Sequence, residues 1–257
     1  MIRTLQIWLL IIYVLGIAAL MAFINIKNGD IQVPSTELNI YRGTKDGFLT
    51  KSEILNSMQK FVGLDTIKVN QLGLGILEKE ILNDPFVESV DAFTNIDGEL
   101  IVNVNEKQPI VRIFNKKSVG YYLTKEGCIL PLSESYSARV LVVNGFLNIP
   151  ISNSYNNVMD RAYDKTKLKD ILKLSIAINN NEFLKSQINQ IYINSKSEFE
   201  LIPEFGSQVI LIGDLNNLEK KLQKLEIFYQ QALLKEGIDK YKTINLKFDG
   251  QVVCTRK

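Results

Sequence analysis

The chain has 257 residues, with 30 Lys and Arg against 28 Asp and Glu, a formal net charge of +2. A balance this near neutrality, without a basic block, excludes a nucleic-acid arm; Lys220, Lys221 and Lys224 cluster, but share helical spacing with Glu219 and Glu226, as on a solvated helix face. No histidine is present, which removes the commonest general base and the commonest transition-metal ligand, so no metal, cofactor or enzymatic activity is expected.

The chain opens Met1-Ile2-Arg3, followed by an uncharged, mostly apolar run over 4–26. As a helix this run is about 34 Å long, enough for a hydrocarbon core of about 30 Å, so a single transmembrane helix is predicted. A cleaved signal peptide is the rival, but signal cores are shorter, and the small-x-small triplet Gly16-Ile17-Ala18 sits inside the apolar stretch, not after it. Arg3 and the α-amine face Lys27, Arg42 and Lys45 across the span, so charge gives only a slight vote for an N-terminus inside the cell. Residues 1–3 are then a cytoplasmic tail and 27–36 a connector. Ala18 and Ala22 form a small-xxx-small pair through which another helix could pack, although alanines are common in any membrane helix.

A short strand is predicted over 37–42. Thr50-x-x-Glu53 is a capping box opening a helix whose apolar face is Ile54, Leu55, Met58, Phe61 and Val62. A second helix over 74–82 aligns Leu74, Leu77 and Ile81 and must stop near Asp84-Pro85. Strands over 86–94 and 99–106 join through Asp97-Gly98, a hairpin signal, and Leu100, Val102 and Val104 alternate with polar residues. Strand, helix, helix, strand, strand makes one compact domain over 37–107.

From 108 to 257 the pattern shifts to short strands, predicted at 110–114, 120–123, 128–130 and 139–143, then a polar loop over 152–157. A helix over 165–179 carries Leu168, Ile171, Leu172, Leu174, Ser175 and Ile178 as its apolar stripe. Strands return at 188–193, 198–202 and 208–212, followed by a helix over 215–236 ending at Gly237. A last strand over 243–254 contains Phe248-Asp249-Gly250-Gln251, a turn signal that kinks or folds it. The two cysteines, Cys128 and Cys254, carry no spacing signature; two free thiols are the preferred reading and a disulfide the alternative. The fold class is α+β: an N-terminal helix, a small α+β domain, and a larger mixed domain built on an antiparallel sheet.

Leu77-Glu78-x-x-Ile81-x-x-x-Pro85-Phe86-Val87 resembles the second helix and following strand of a POTRA (polypeptide-transport-associated) domain. Asp97-Gly98-Glu99-Leu100-x-Val102-x-Val104-x-Glu106 and Gln108-Pro109-Ile110-Val111-Arg112 are similar to the last POTRA strand and exit of the bacterial cell-division family FtsQ, called DivIB in Gram-positive bacteria. Tyr122-Leu123-Thr124-x-Glu126-Gly127 with Pro131-Leu132 resembles that family's opening β-domain hairpin, and Ile244-Asn245-Leu246-Lys247-Phe248 its closing strand. Where the family often has Asp-Leu-Arg-Tyr, this chain has Asn245, Lys247 and Phe248, so contacts needing a carboxylate, guanidinium or phenol are in doubt.

The resemblance implies a non-catalytic, single-pass divisome scaffold required for septation, with its bulk in the periplasm and concentrated at the division site. It implies that the C-terminal end of the β domain receives FtsB, travelling with FtsL, with FtsW and FtsI as further divisome partners. The residues carried over are Lys247, Phe248, Asp249, Gly250, Gln251, Val252, Val253, Cys254 and Thr255, with Phe248 and Val252 as apolar anchors. The alternatives are a POTRA-bearing secretion or outer-membrane assembly factor, and a membrane-anchored cell-wall enzyme. For the last, Ser57-Met58-Gln59-Lys60 is a Ser-x-x-Lys, but its Ser-Asp-Asn and Lys-Thr-Gly companions are missing. Gly73-Leu74-Gly75 lacks the third glycine of a phosphate loop and reads as a helix start.

Overall fold

A computed structural model describes residues 2–29, 33–62, 68, 71–115, 119–147, 157–233, 237 and 240–257. The chain divides into two compact units, Met1–Lys107 and Gln108–Lys257.

The first unit begins with helix α1, Ile2–Gly29, of 28 residues. Its described side chains are Trp8 and those of residues 10–22, all exposed, including Tyr13, Leu15, Leu20 and Met21. Residues 10–22 cover about 20 Å at 1.5 Å per residue. Among the described residues no helix is long and apolar enough to cross a membrane; the outer parts of the run at 4–26 lie outside the described side chains.

Strand β1 (Thr36–Tyr41), helix α2 (Lys51–Val62), helix α3 (Leu74–Leu82) and strands β2 (Val87–Thr94) and β3 (Leu100–Glu106) follow. The sheet order is β1-β3-β2, with β1 parallel and β2 antiparallel to β3. Each element starts and stops for a local reason. The Thr50 Oγ1 accepts from the Glu53 N–H at 3.2 Å while the Glu53 carboxylate accepts from the Thr50 N–H at 3.3 Å, the reciprocal bonds of a capping box. The Asp84 carboxylate accepts from the Phe86 N–H at 2.9 Å, turning the chain out of α3. Gly98 takes φ +83 in the β2–β3 turn, where Asn95 Oδ1 accepts from the Asp97 and Glu99 N–H groups.

Ile54, Met58, Leu77 and Ile81 pack on Leu38, Leu100, Val102 and Val104. The side chains of Phe61 and Val62 lie outside the described residues. At the end of the buried β3 face stands Glu106, whose carboxylate accepts the Phe48 N–H at 3.1 Å and the Leu49 N–H at 3.0 Å and pairs with Arg42 Nε at 3.9 Å. Gly47 lies against this carboxylate, with no room for a Cβ.

The second unit carries β4 (Pro109–Phe114), β5 (Gly120–Thr124), β6 (Ile129–Leu130), β7 (Leu141–Gly145), a 3-10 turn at Arg161–Tyr163, α4 (Leu168–Asn179), α5 (Glu182–Gln187), β8 (Ile188–Ile193), β9 (Phe199–Pro203), β10 (Val209–Gly213), α6 (Leu218–Phe228) continuing as a π-turn over Tyr229–Leu233, β11 (Tyr241–Asn245) and β12 (Val253–Arg256). They form one sheet in the order β12-β11-β10-β9-β8-β7-β4-β5-β6. The expected antiparallel sheet is corrected to a mixed one, because β4 with β7, β7 with β8, and β10 with β11 pair in parallel. A parallel neighbour requires a crossover; α4 and α5 lie between β7 and β8, and α6 between β10 and β11.

The stripe Leu168, Ile171, Leu172, Leu174, Ser175 and Ile178 is buried as its spacing demands, and α6 adds Leu218, Leu222 and Leu225. Helix α5 escaped the sequence reading because six residues are too few to show a period; the Asn181 side chain caps it, accepting from the Leu184 N–H at 3.0 Å. The loop expected over 152–157 lies outside the described residues except Asn157, as does the helix end expected at 234–236.

Candidate functional site

The single last strand expected over 243–254 is a hairpin. β11 and β12 pair antiparallel, with Thr243 opposite Thr255, Ile244 opposite Cys254 and Asn245 opposite Val253, and residues 246–252 turn between them. β12 ends the sheet, and no described strand pairs with its other side. An edge strand leaves a row of backbone donors and acceptors unpaired.

The turn is held from below by a lysine. Lys224 of α6 donates from Nζ to the carbonyls of Phe248 at 2.6 Å, Leu246 at 3.3 Å and Gln251 at 3.4 Å. An ammonium has three donors, and here each finds a carbonyl of the same turn. The Leu246 N–H donates to the Leu211 carbonyl at 3.0 Å, prolonging the β10–β11 pairing by one residue. Gly250 takes φ +70 at the tip with open space around it.

Lys247 is anchored separately. Its stem crosses Gly213, where a Cβ would come within 2.6 Å of Lys247 Cδ, and Gly213 itself stands at φ +74. Lys247 Nζ donates to both Glu198 oxygens at 3.2 and 3.3 Å. That hydrogen bond holds the Glu198 carboxyl below its ordinary 4.5.

The nine carried-over residues thus divide by position. Phe248 is exposed at 47%, and Asp249, Gly250 and Gln251 form the exposed tip. Val253 is exposed at 42% on the edge strand, with Thr255 also exposed. Val252 instead packs half-buried against the core, as does Cys254; the outward apolar pair is Phe248 and Val253. Lys247 is committed to Glu198. The sequence reading missed Lys224 and Gly213, since nothing local ties them to a turn more than twenty residues away. Ala18 and Ala22 stand one turn apart on α1, both exposed.

Both cysteines are free. Cys128 immediately precedes β6 and Cys254 lies in β12, at opposite ends of the sheet. Eight strand spacings of about 4.8 Å put them on the order of 38 Å apart along the sheet, against about 7 Å at most for a disulfide, so the bridge alternative is set aside. Burial pushes the Cys254 thiol up.

Ser57 lies half-buried on α2, lining a cleft of about 260 Å³ with Glu53, Glu80 and Asp84. Among the described residues no group of three or more carboxylate or thiol side chains is arranged to hold a metal ion.

Residues 108–255 match a protein family described as FtsQ/DivIB, C-terminal related, running from just before β4 into β12. No curated protein matches the chain.

Proposed function

The chain belongs to the FtsQ/DivIB family and has a role in cell division, and on that premise we propose that it is a non-catalytic, single-pass scaffold of the divisome, required for septum formation. The apolar run at 4–26, within a helix of 28 residues, is its membrane anchor, with residues 1–3 in the cytoplasm and the bulk in the periplasm. Residues 37–107 are a POTRA domain and 108–257 the β domain. The scaffold receives FtsB, in complex with FtsL, and works beside FtsW and FtsI. Holding all of them in one membrane raises their effective concentration for one another. Ala18 and Ala22 are the positions at which another membrane helix could approach.

One observation carries this reading: a sheet edge, β12, that is unpaired among the described strands, flanked by the outward side chains Phe248 and Val253 and a turn fixed by Lys224. A partner segment adding to such an edge gains main-chain hydrogen bonds, while the flanking apolar residues give it selectivity. Lys247, Asp249, Gly250, Gln251, Val252, Cys254 and Thr255 complete the surface.

The test is capture of the FtsB–FtsL pair by the full chain and by a chain ending at Leu246. The full chain retains the pair and the shortened chain loses it, while circular dichroism of residues 1–107 in the shortened chain is unchanged. Equal capture by both chains would overturn the docking edge.

A further inference from the structure

A cavity of about 600 Å³ opens where the ends of β8, β10 and β11 meet α4. Five lysines and three carboxylates line it, leaving an excess of two positive charges. Three of the lysines are paired inside the cavity: Lys167 with Asp170 at 3.1 Å, Lys221 with Asp214 at 2.8 Å, and Lys247 with Glu198 at 3.2 Å. Lys221 is itself buried, 8% exposed, and donates also to the carbonyls of Ile212 at 3.1 Å and Asp214 at 2.8 Å. Every carboxylate is therefore engaged. A carboxylate oxygen left over could accept from a second lysine, but three carboxylates cannot neutralise five ammoniums.

The two ammoniums that remain are Lys173, on α4, and Lys196, in the β8–β9 turn; neither has an ion-pair partner among the described residues. The turn holding Lys196 is hydrogen-bonded through Asn194. Asn194 Oδ1 accepts from the Lys196 N–H at 2.9 Å and the Glu198 N–H at 3.1 Å, and the Asn194 carbonyl accepts from the Ser197 N–H at 2.9 Å. Ser197, held at φ +60, lines the same wall. Charge and donors, on the exposed side chains of Lys173, Lys196 and Ser197, thus line a space far larger than a single small ion.

We propose that this cavity binds the phosphate of a polar phosphate ester, with Lys173 and Lys196 supplying charge and Ser197 a further donor. Lysine acts at phosphate as a compact point charge with rotatable donors, which suits two ammoniums arriving from separate elements. The polar lining admits a hydrophilic body on the phosphate, either a soluble ester or the headgroup of an anionic phospholipid. This site shares Lys247 with the docking surface but involves no residue of β12, and its test does not depend on any partner protein.

The experiment is calorimetric titration of the purified full chain in neutral detergent, with glycerol 1-phosphate in one arm and monomeric dihexanoyl phosphatidylglycerol in the other. Saturable binding is expected, weakened about tenfold or more when Lys173→Gln and Lys196→Gln are combined. The double change Lys125→Gln with Lys185→Gln, on exposed lysines that do not line the cavity, leaves binding unchanged. Binding of the soluble ester assigns the site to phosphate esters generally; binding of the lipid alone, with the same sensitivity, assigns it to a headgroup. Should the first double variant melt early, displacement of the ester by sulfate but not by equal chloride on the unaltered chain supplies the second measure. Absence of binding in both arms, equal weakening by both double variants, or equal displacement by the two salts overturns the proposal.

Discussion

Glu106 ties the 47–49 segment to the end of β3, because its carboxylate is the acceptor for two buried N–H groups and the partner of Arg42. Replacing it by Ala leaves those donors unpaired, and a loss of about 3 kcal/mol is expected in chemical denaturation of the chain. Lys224 plays the matching part in the second unit. Lys224→Met is expected to cost about 1–2 kcal/mol by removing the clamp on the 246–252 turn, and to weaken capture of the FtsB–FtsL pair; unchanged capture would show that the docking edge needs no support from α6. The Lys247–Glu198 pair sets a pH dependence. A carboxyl held below its ordinary 4.5 in the fold contributes stability above that value and loses it as pH falls through the lowered one. Lys247→Met should flatten this part of the acid unfolding curve and leave stability near neutral pH slightly reduced.

At the scale of elements, β12 is the piece on which the proposed function turns. Val253→Asp places a charge on the exposed face of the edge strand and is expected to weaken partner capture about tenfold, with melting of the second unit unchanged because Val253 is not part of its core. Thiol labelling addresses the same strand: both cysteines should be found free without reductant, Cys254 reacting slowly and gaining rate at high pH because burial raises its thiol. Much at this scale was legible in the sequence. α3 lies over Leu74–Leu82 as read, since Leu77 and Ile81 mark its face and Pro85 its stop, and β8 matches as Ile188–Ile193. Parallel pairing was not legible, because which strands become neighbours is decided by how α4, α5 and α6 cross over and not by any strand's own pattern. The hairpin at the end was only half legible. Phe248-Asp249-Gly250-Gln251 announced a turn, but contacts from distant residues, Lys224, Leu211 and Glu198, hold the chain as it folds back, and it is this fold that moves Val252 inward and Val253 outward.

For the whole molecule, an apolar helix opens the first of two compact units, and the family match covers the second. The proposed scaffold joins these parts: the helix holds the chain in the membrane and the β12 edge offers a strand to a membrane-held partner. Such a protein has no product to assay, so its position in the cell is the most direct reading of its role. The decisive measurement is fluorescence from the full chain, tagged at its N-terminus and expressed in place of the native copy, in dividing cells. A band at midcell during constriction is expected; an even distribution around the envelope in cells that are visibly constricting would contradict a divisome scaffold.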